Sequence, residues 1–408
     1  MKIKDTFLAS TLFFLVLSSW YVLRAVRNEF AVENYSQDFL LILLAFTALV
    51  MLIVNPIYSW IASRSNFKKI VIYCYSFLIL NLFIFLLIST NLSDDNQLGR
   101  IWLGRVFYVW CNIYSFFVVS IFWVLIINVF RDSNSKKSYG FIMAGGSLGG
   151  IFGSEIAVRI SENFAYSGIE SFVISSSVLL ILGLILAIYI FHSVDSRNLS
   201  DVVGGKWMDA SYNIISHKDI RTIAIYSWLL TACMTIQWIS AIPIIENFLQ
   251  TPTERIELFG RIEQIVSPLT LISQLFFTYM MISFLGIKFI LTIYGLIFII
   301  IFILYGFFPS VTAVIFAQVV LRVFEYAFNK PSREIVYSQM NKNNRYKTSV
   351  FIDTFVTRFG DLTGSIFVGF VKFSGIVISM TPLLALPLAF LLSRTGLKIF
   401  SFKKFTNL

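Results

Sequence analysis

Four arginines stand inside long apolar stretches of the sequence: Arg24, Arg27, Arg322 and Arg358. An ionised side chain within a transmembrane helix costs about 2.5–3.5 kcal/mol, so each arginine needs a charged partner or a water-filled cavity. The planar guanidinium offers paired hydrogen bonds that match the oxygens of a phosphate group. The chemistry that these residues favour is therefore the binding of an anion.

The first pair of arginines ends the first apolar stretch. Arg24 and Arg27 are three residues apart, so they share one face of a helix. In one interpretation both side chains extend to the lipid–water interface. In the other they point into a cavity and hold an anion, which is the reading that we adopt for intramembrane charge.

A second group of charges surrounds Pro331. The proline removes a backbone N–H and is expected to kink or restart the helix. Lys330 and Arg333 flank that break, where they are expected to meet a phosphate. Arg322 and Glu325 are spaced for a pair within one helix, which would be a purely structural arrangement.

A third group begins the next apolar stretch, with Asp353, Arg358 and Asp361. Arg358 and Asp361 can pair, either as a lock between helices or as a means of keeping an empty basic site neutral. We predict six substrate-binding residues, which are Arg24, Arg27, Arg322, Lys330, Arg333 and Arg358. We predict three charge partners or proton-coupling residues, which are Glu325, Asp353 and Asp361.

A glycine-rich stretch opens the fifth apolar segment, with glycines at Gly145, Gly146, Gly149, Gly150 and Gly153. Small residues four apart allow two membrane helices to approach closely. A phosphate-binding loop is excluded, because no Gly-Lys-Ser/Thr follows and no strand precedes. The pattern predicts a packing or gating seam between helices.

The elements that position these residues follow from composition. Of the 408 residues, 57% are hydrophobic and only 13% are charged, which excludes a soluble enzyme and a disordered chain. The apolar runs are about 20 residues long, as in membrane-spanning helices, and lack the short alternating segments of a membrane β-barrel. We predict twelve spans, at 6–32, 39–62, 70–90, 101–129, 139–161, 172–192, 222–249, 259–283, 287–307, 310–329, 347–371 and 376–394.

The polar segment 193–221 divides the chain into two six-helix halves, 1–192 and 222–408. A shift of 210 residues places Lys137 on Lys347 and Gly150 on Gly360, in each case where a basic loop enters the fifth helix of its half. Two parallel repeats of this kind are typical of the major-facilitator architecture. The sequence therefore predicts an all-α polytopic membrane protein, major-facilitator-like, of twelve transmembrane helices.

Most lysines and arginines lie in alternate loops, which places both termini and segment 193–221 in the cytoplasm. The net charge of +10 is explained by these loops, so no nucleic-acid partner is expected. The three cysteines lie in apolar runs, and the two histidines have no metal-ligand spacing around them. We expect no enzymatic activity, no catalytic residue, no cofactor and no metal. The expected partners are the lipid bilayer and a small anionic solute, with the protein as a monomer.

Five stretches together resemble the ATP/ADP translocase family of intracellular bacteria and plastids. The most specific stretch joins Lys330-Pro331-Ser332-Arg333-Glu334 to Ile352-Asp353 and to Arg358-Phe359-Gly360-Asp361. The other matching residues are Tyr21 to Asn28; Trp110, Phe122, Trp123 and Asn128; Ala144 to Gly149; and Phe259, Gly260, Arg261 and Gln274. Two positions depart from the family pattern, since Asn28 replaces an acidic residue and Tyr108 and Val109 stand where a carboxylate is often found.

The resemblance implies a bacterial inner-membrane exchanger of nucleotides such as ATP and ADP, with a fold similar to that of the major facilitators. The residues themselves predict alternating access by a secondary transporter of an anionic, phosphate-bearing solute. One alternative is a proton-coupled transporter of another small solute, in which Glu325, Asp353 or Asp361 carries the proton. Another is a membrane scaffold or sensor, in which the buried charges only hold the helices together.

Overall fold

The chain folds into helices throughout its described part. The computed structural model describes residues 3–33, 42–43, 45–54, 67–93, 95–129, 136–163, 169–193, 218–338, 351–376 and 380–399. The helices, numbered in chain order, are α1 (Ile3–Glu33), α2 (Ala45–Val54), α3 (Phe67–Asn91), α4 (Gln97–Val129), α5 (Lys136–Asn163), α6 (Glu170–Ser193), α7 (Lys218–Phe248), α8 (Pro252–Ile272), α9 (Thr278–Phe307), α10 (Val311–Phe324), α11 (Lys330–Ser338), α12 (Thr357–Phe373), α13 (Thr381–Leu384) and α14 (Leu386–Lys398).

Eight described helical stretches are long and apolar enough to cross a membrane. One of them, Pro252–Phe307, runs for 56 residues and contains two of the predicted spans. Gly286 separates these two, because its φ of 77° belongs to a left-handed conformation that interrupts the helix. The predicted spans 39–62, 347–371 and 376–394 correspond to shorter described helices, so the architecture is consistent with twelve spans.

Large apolar side chains cover the outer surface of many helices. Tyr279, Phe284 and Phe373 are at least 84% exposed, and many leucines, isoleucines and phenylalanines are also exposed. A soluble monomer rarely exposes apolar surface on this scale, whereas lipid tails cover it without cost. The exposed surface therefore agrees with a protein that is embedded in a bilayer.

The chain divides into two compact units. The first contains Met1–Tyr35, Trp60–Val203 and Leu249–Leu271, so most of α8 packs with the N-terminal helices. In this unit α1 is the central helix. Its Ser19 hydroxyl meets the hydroxyls of Tyr114 on α4 and Ser176 on α6, and Phe13 stacks on Phe122 of α4 with ring centroids 4.2 Å apart.

The second unit contains Ser36–Ser59, Gly204–Phe248 and Ile272–Leu408. Its α7 and α12 lie close together, since a Cβ added at Gly360 would fall 2.7 Å from the carbonyl oxygen of Trp228. The α9 and α14 helices are equally close at Gly295, where an added Cβ would lie 2.4 Å from the backbone nitrogen of Ser393. The predicted division at 193–221 stays a prediction, because most of that segment lies outside the described residues.

The glycine stretch of α5 lies directly against α1. A Cβ added at Gly145, Gly149 or Gly153 would come within 2.3–2.4 Å of a backbone carbonyl oxygen of α1, those of Ser10, Phe14 and Ser18. Gly146 and Gly150 face the Phe13 and Tyr21 side chains of the same helix, and Gly150 also faces Ser267. Gly145, Gly149 and Gly153 therefore allow the α1 and α5 backbones to touch, while Gly146 and Gly150 make room for side chains. The gating role of the five glycines remains a prediction.

The helix changes form immediately before Pro331. A π-helical turn, Glu325–Asn329, follows α10, and the α-helix begins again as α11 at Lys330, so the expected restart lies next to the proline. A kink at this point stays a prediction. The carbonyl of Ala327, which Pro331 cannot satisfy, accepts a hydrogen bond of 2.7 Å from the Thr278 hydroxyl. The neighbouring Tyr326 carbonyl accepts from the Gln274 amide at 3.1 Å. Side chains from another helix thus replace the backbone bond that the proline removes.

Candidate functional site

Arg27 is held by neutral oxygens in the first unit. Its Nη2 donates to the Asn112 side-chain oxygen on α4 at 2.5 Å, and its Nη1 donates to that of Asn28 at 2.9 Å. The Tyr108 ring lies 4.7 Å from the guanidinium carbon, a distance typical of a cation–π contact. In the part of the chain that the structure describes, no carboxylate forms an ion pair with Arg27.

Arg24, one helical turn earlier, has a carboxylate partner. Its Nη1 lies 3.1 Å from Oε1 of Glu263 on α8, and the Glu263 side chain is only 5% exposed. The Tyr21 ring contacts the same guanidinium, at 5.4 Å from its carbon. Arg24 therefore joins α1 to α8 by a buried ion pair, and an anion would have to displace Glu263 to bind it.

A second buried pair joins the same two helices. Nη2 of Arg255 on α8 lies 3.1 Å from Oε1 of Glu29 on α1, and the two side chains are 6% and 0% exposed. Nη1 of Arg255 also donates to the backbone carbonyls of Leu249 and Gln250. A third contact lies on a more exposed face, where the Gln264 amide donates to Glu155 of α5 at 2.6 Å. Residues 252–271 are thus joined to α1 by two ion pairs and to α5 by a hydrogen bond to a carboxylate.

In the second unit, Arg333 lies between two carboxylates. Its Nη2 donates to Glu325 Oε1 at 2.7 Å, and its Nη1 lies 3.5 Å from Asp353 Oδ1. Glu325 also accepts from the Asn329 amide at 2.5 Å, and the Asn329 oxygen accepts from the Tyr226 hydroxyl at 2.7 Å. One buried cation and two acids therefore form a single network at the π turn.

Arg358 forms a pair within its own helix. Its Nη1 lies 2.9 Å from Oδ2 of Asp361, and both side chains are partly exposed. The other carboxylate oxygen of Asp361 accepts from the Thr235 hydroxyl of α7 at 2.9 Å. This is the pair that the spacing of the two residues predicts, and it leaves the arginine neutralised in the described structure.

The two remaining predicted binding residues differ in exposure. Arg322 is buried in the last turn of α10, whereas Lys330 is exposed at the start of α11. The structure therefore brings together Arg333 with Glu325 and Asp353, and Arg358 with Asp361. Arg24 and Arg27 lie on the same helix but contact different neighbours, Glu263 on α8 and Asn112 on α4. Whether these residues bind substrate stays a prediction.

Four residues that contact the predicted arginines or join the same helices were not predicted as site residues. They are Asn112, Glu263, Glu29 and Arg255. Glu263 carries a usable signal, since it is an acid inside a predicted span and such acids need a partner. Asn112 carries little signal, because neutral asparagines are common and only the fold brings this one to Arg27. Among the described residues, no group of three or more His, Cys, Asp or Glu side chains is arranged to hold a metal ion.

Comparison with known proteins identifies the architecture. No family model and no curated protein matches the chain. Among solved structures, the nucleoside transporter NupG matches with a TM-score of 0.66 at 15% identity, covering 99% of this chain and 100% of that one. The Major Facilitator Superfamily transporter FucP, in its outward conformation, matches with a TM-score of 0.59 at 16% identity, covering 97% and 99%. The chain has a major-facilitator fold.

A bacterial homologue of the human lysosomal transporter Spinster, in an inward-facing and unoccupied conformation, matches the same fold with a TM-score of 0.59 at 13% identity. The chain is thus an all-α, multi-pass membrane protein, as its sequence predicts. The finer resemblance to ATP/ADP translocases has no support from these comparisons. Identities of this size show the major-facilitator fold alone, so substrate and mechanism have to be argued from the residues.

Proposed function

We propose that the chain is a secondary transporter that moves an anionic, phosphate-bearing solute by alternating access. The observation that carries the proposal is Arg27, a cation in a membrane helix whose described side-chain partners are two amide oxygens and a tyrosine ring. A charge at this depth is costly when nothing opposes it, and an anionic solute would supply the missing counter-charge. A nucleotide is the leading candidate, and NupG, of similar fold, is a nucleoside transporter.

The paired arginines have a second role in this proposal. Glu263 neutralises Arg24 and Asp361 neutralises Arg358 in the described structure. We propose that each carboxylate holds its arginine in the absence of solute and releases it to a phosphate oxygen on binding. Within the second unit, Arg322, Lys330 and Arg333 add positive charge, and Lys330 is exposed. The proposed location is a bacterial inner membrane, with both termini in the cytoplasm.

Counterflow in proteoliposomes tests the proposal. Vesicles loaded with unlabelled ADP are offered labelled ATP, ADP, inorganic phosphate or succinate, and uptake above empty vesicles is expected for at least one anion. Arg27→Ala should lower this uptake about 10–100-fold, the range that corresponds to losing charge-assisted hydrogen bonds. Arg159→Ala is the matched control, because the Arg159 side chain is 71% exposed and pairs with Glu155 on the α5 surface. Uptake of none of these anions, or full activity of Arg27→Ala, would overturn the proposal.

A proton-coupled transporter is the second candidate, and the Arg333 network is the observation that favours it. Two acids share one arginine there, and Asp353 is the looser of the two, with its side chain 36% exposed. The other titratable groups in or beside the described network are Glu325, Tyr226, Tyr337 and Glu334, and two carboxylates face one guanidinium. If the chain is a proton-coupled transporter, uptake needs no counter-substrate and a protonophore abolishes it. Asp353→Asn should then uncouple solute uptake from the proton gradient. Uptake that needs a counter-substrate and survives the protonophore excludes this candidate.

A further inference from the structure

The two asparagines beside Arg27 hold its guanidinium without neutralising it. Asn28 is buried next to Arg27 on α1, and Asn112 reaches it from α4. Together they accept two of the five N–H groups that a guanidinium offers. Its Nε is buried and has no hydrogen-bond partner among the described residues. The Arg27 side chain is therefore held in position while some of its N–H groups still have no acceptor among the described residues.

The orientation of the Asn112 amide is set by its own helix. Its Nδ2 donates to the carbonyl oxygen of Tyr108, one turn earlier on α4, at 2.8 Å. A carbonyl oxygen can only accept, so the amide nitrogen must face Tyr108 and the amide oxygen must face Arg27. The same turn of α4 places the Tyr108 ring against the guanidinium. These contacts position the cation, and none of them carries a negative charge.

Several other arginines among the described residues have a carboxylate partner. Arg24, Arg255, Arg333 and Arg358 each have a carboxylate within 3.1 Å or less. Aspartate has almost the same shape as asparagine, so a neutral pair at Arg27 would require only one different atom at position 28 or 112. The chain nevertheless has an amide at both positions.

We infer that Asn28 and Asn112 determine the charge selectivity of the Arg27 site. Because their oxygens are neutral, they leave the positive charge of Arg27 without a counter-ion in the empty carrier, so the anionic group of the solute becomes its counter-ion. A phosphate group fits the remaining N–H groups, which can bind two oxygens side by side. A neutral analogue of the solute leaves the cation unopposed and binds more weakly. This inference rests on the proposed function and adds the residues that exclude uncharged solutes.

The test installs a carboxylate at each position, with Asn112→Asp and Asn28→Asp. A carboxylate next to a guanidinium is favoured in its charged form, so each variant should neutralise Arg27 internally. Asn91→Asp is the control, because it adds the same carboxylate at an exposed position at the end of α3. Counterflow is measured with labelled ADP, labelled inorganic phosphate and, as the neutral solute, labelled adenosine. We expect KM for the anion to rise about tenfold or more in the Asn28→Asp and Asn112→Asp variants, by loss of a charge-assisted bond, and to stay near the wild-type value in Asn91→Asp.

A second measurement does not depend on transport. The new carboxylate opposes the partly buried Arg27 cation, so the ligand-free Asn112→Asp protein should melt at a higher temperature than the wild type. Phosphate should bind this variant about tenfold more weakly, a loss of about 1.4 kcal/mol, and should therefore raise its melting temperature less than that of the wild type at equal concentration. Anion exchange by the wild type with unchanged KM in both aspartate variants would overturn the inference and leave the proposed function standing. Exchange of adenosine but of neither anion by the wild type would overturn both.

Discussion

At the scale of single residues, losing one partner of a buried ion pair should destabilise this protein more than losing both partners. The Glu29–Arg255 pair is almost completely removed from solvent. Taking two charges out of water is costly, and their mutual attraction roughly offsets that cost. Removing one partner leaves the other charge buried without compensation, whereas removing both removes the cost as well.

This asymmetry gives a prediction for the pair. Arg255→Met should lower the stability of the protein by about 3–5 kcal/mol, because Glu29 stays buried and charged. Adding Glu29→Leu to that variant should recover most of the loss. Thermal unfolding in detergent measures both. Arg261→Met serves as a control, since the Arg261 side chain is 53% exposed and its pairs with Glu162 and Glu257 lie at the surface. Equal losses in the single and double variants would show that the pair itself stabilises the fold.

The arginine contacts also show how far residue spacing can predict a site. Arg358 and Asp361 are three residues apart on one regular helix, so their pairing follows from the helical repeat. Arg24 meets Glu263 only because α1 and α8 pack together, and no spacing in the sequence contains that contact. The sequence therefore identified the arginines and the one partner on the same helix, but it could not identify the partners that come from other helices.

At the scale of elements, the π turn at Glu325–Asn329 explains the partner of Arg333. Eight residues of regular helix rotate the chain by about 800°, which would leave Glu325 and Arg333 roughly 80° apart around the axis. A π turn accommodates one extra residue, so the two side chains behave as if seven residues apart and share a face. A regular helix, as expected from the sequence, does not bring Glu325 to Arg333, and the predicted pairing of Glu325 with Arg322 stays a prediction. Pro331 indicates an irregular helix at this point, but a proline alone does not distinguish a π turn from a kink or a restart.

The glycine contact between α1 and α5 gives a prediction at the same scale. Gly149→Ala should destabilise the protein by about 1–3 kcal/mol, because its Cβ would overlap the Phe14 carbonyl oxygen and force the helices apart. Gly183→Ala is the matched control, since its Cβ would face α1 side chains at an ordinary 3.8 Å. That control should be neutral or slightly stabilising, as alanine favours a helix by about 0.5–1 kcal/mol over glycine.

Thermal unfolding of both variants and of the wild type measures the difference. A loss confined to Gly149→Ala shows that close backbone approach, rather than helix propensity, selects glycine in α5. Similar behaviour of the two variants would mean that α1 and α5 can separate at little cost.

At the scale of the whole molecule, the sequence was sufficient for the architecture because the bilayer leaves few alternatives. Backbone groups in lipid must be satisfied internally, so apolar runs of about 20 residues become helices. The described helices agree with the predicted spans, and solved major-facilitator structures match 97–99% of the chain. Substrate identity has no comparable constraint, because it depends on a few side chains that a helix-packing pattern does not determine.

Orientation in the membrane is the whole-molecule prediction that remains, and the native cysteines make it easy to test. Cys111 and Cys233 are buried and Cys74 is half-buried, each within a membrane helix, so a membrane-impermeant maleimide should label the wild type weakly. The excess of lysine and arginine in alternate loops places the loop between α3 and α4 outside and segment 193–221 inside. Asp95 is exposed in the loop between α3 and α4, so Asp95→Cys should react with the maleimide in intact cells. Ser196→Cys should react only after the cells are permeabilised. The reverse pattern would place the N-terminus outside, and Arg24 and Arg27 would then lie toward the cytoplasm, where a cytoplasmic nucleotide would reach them first.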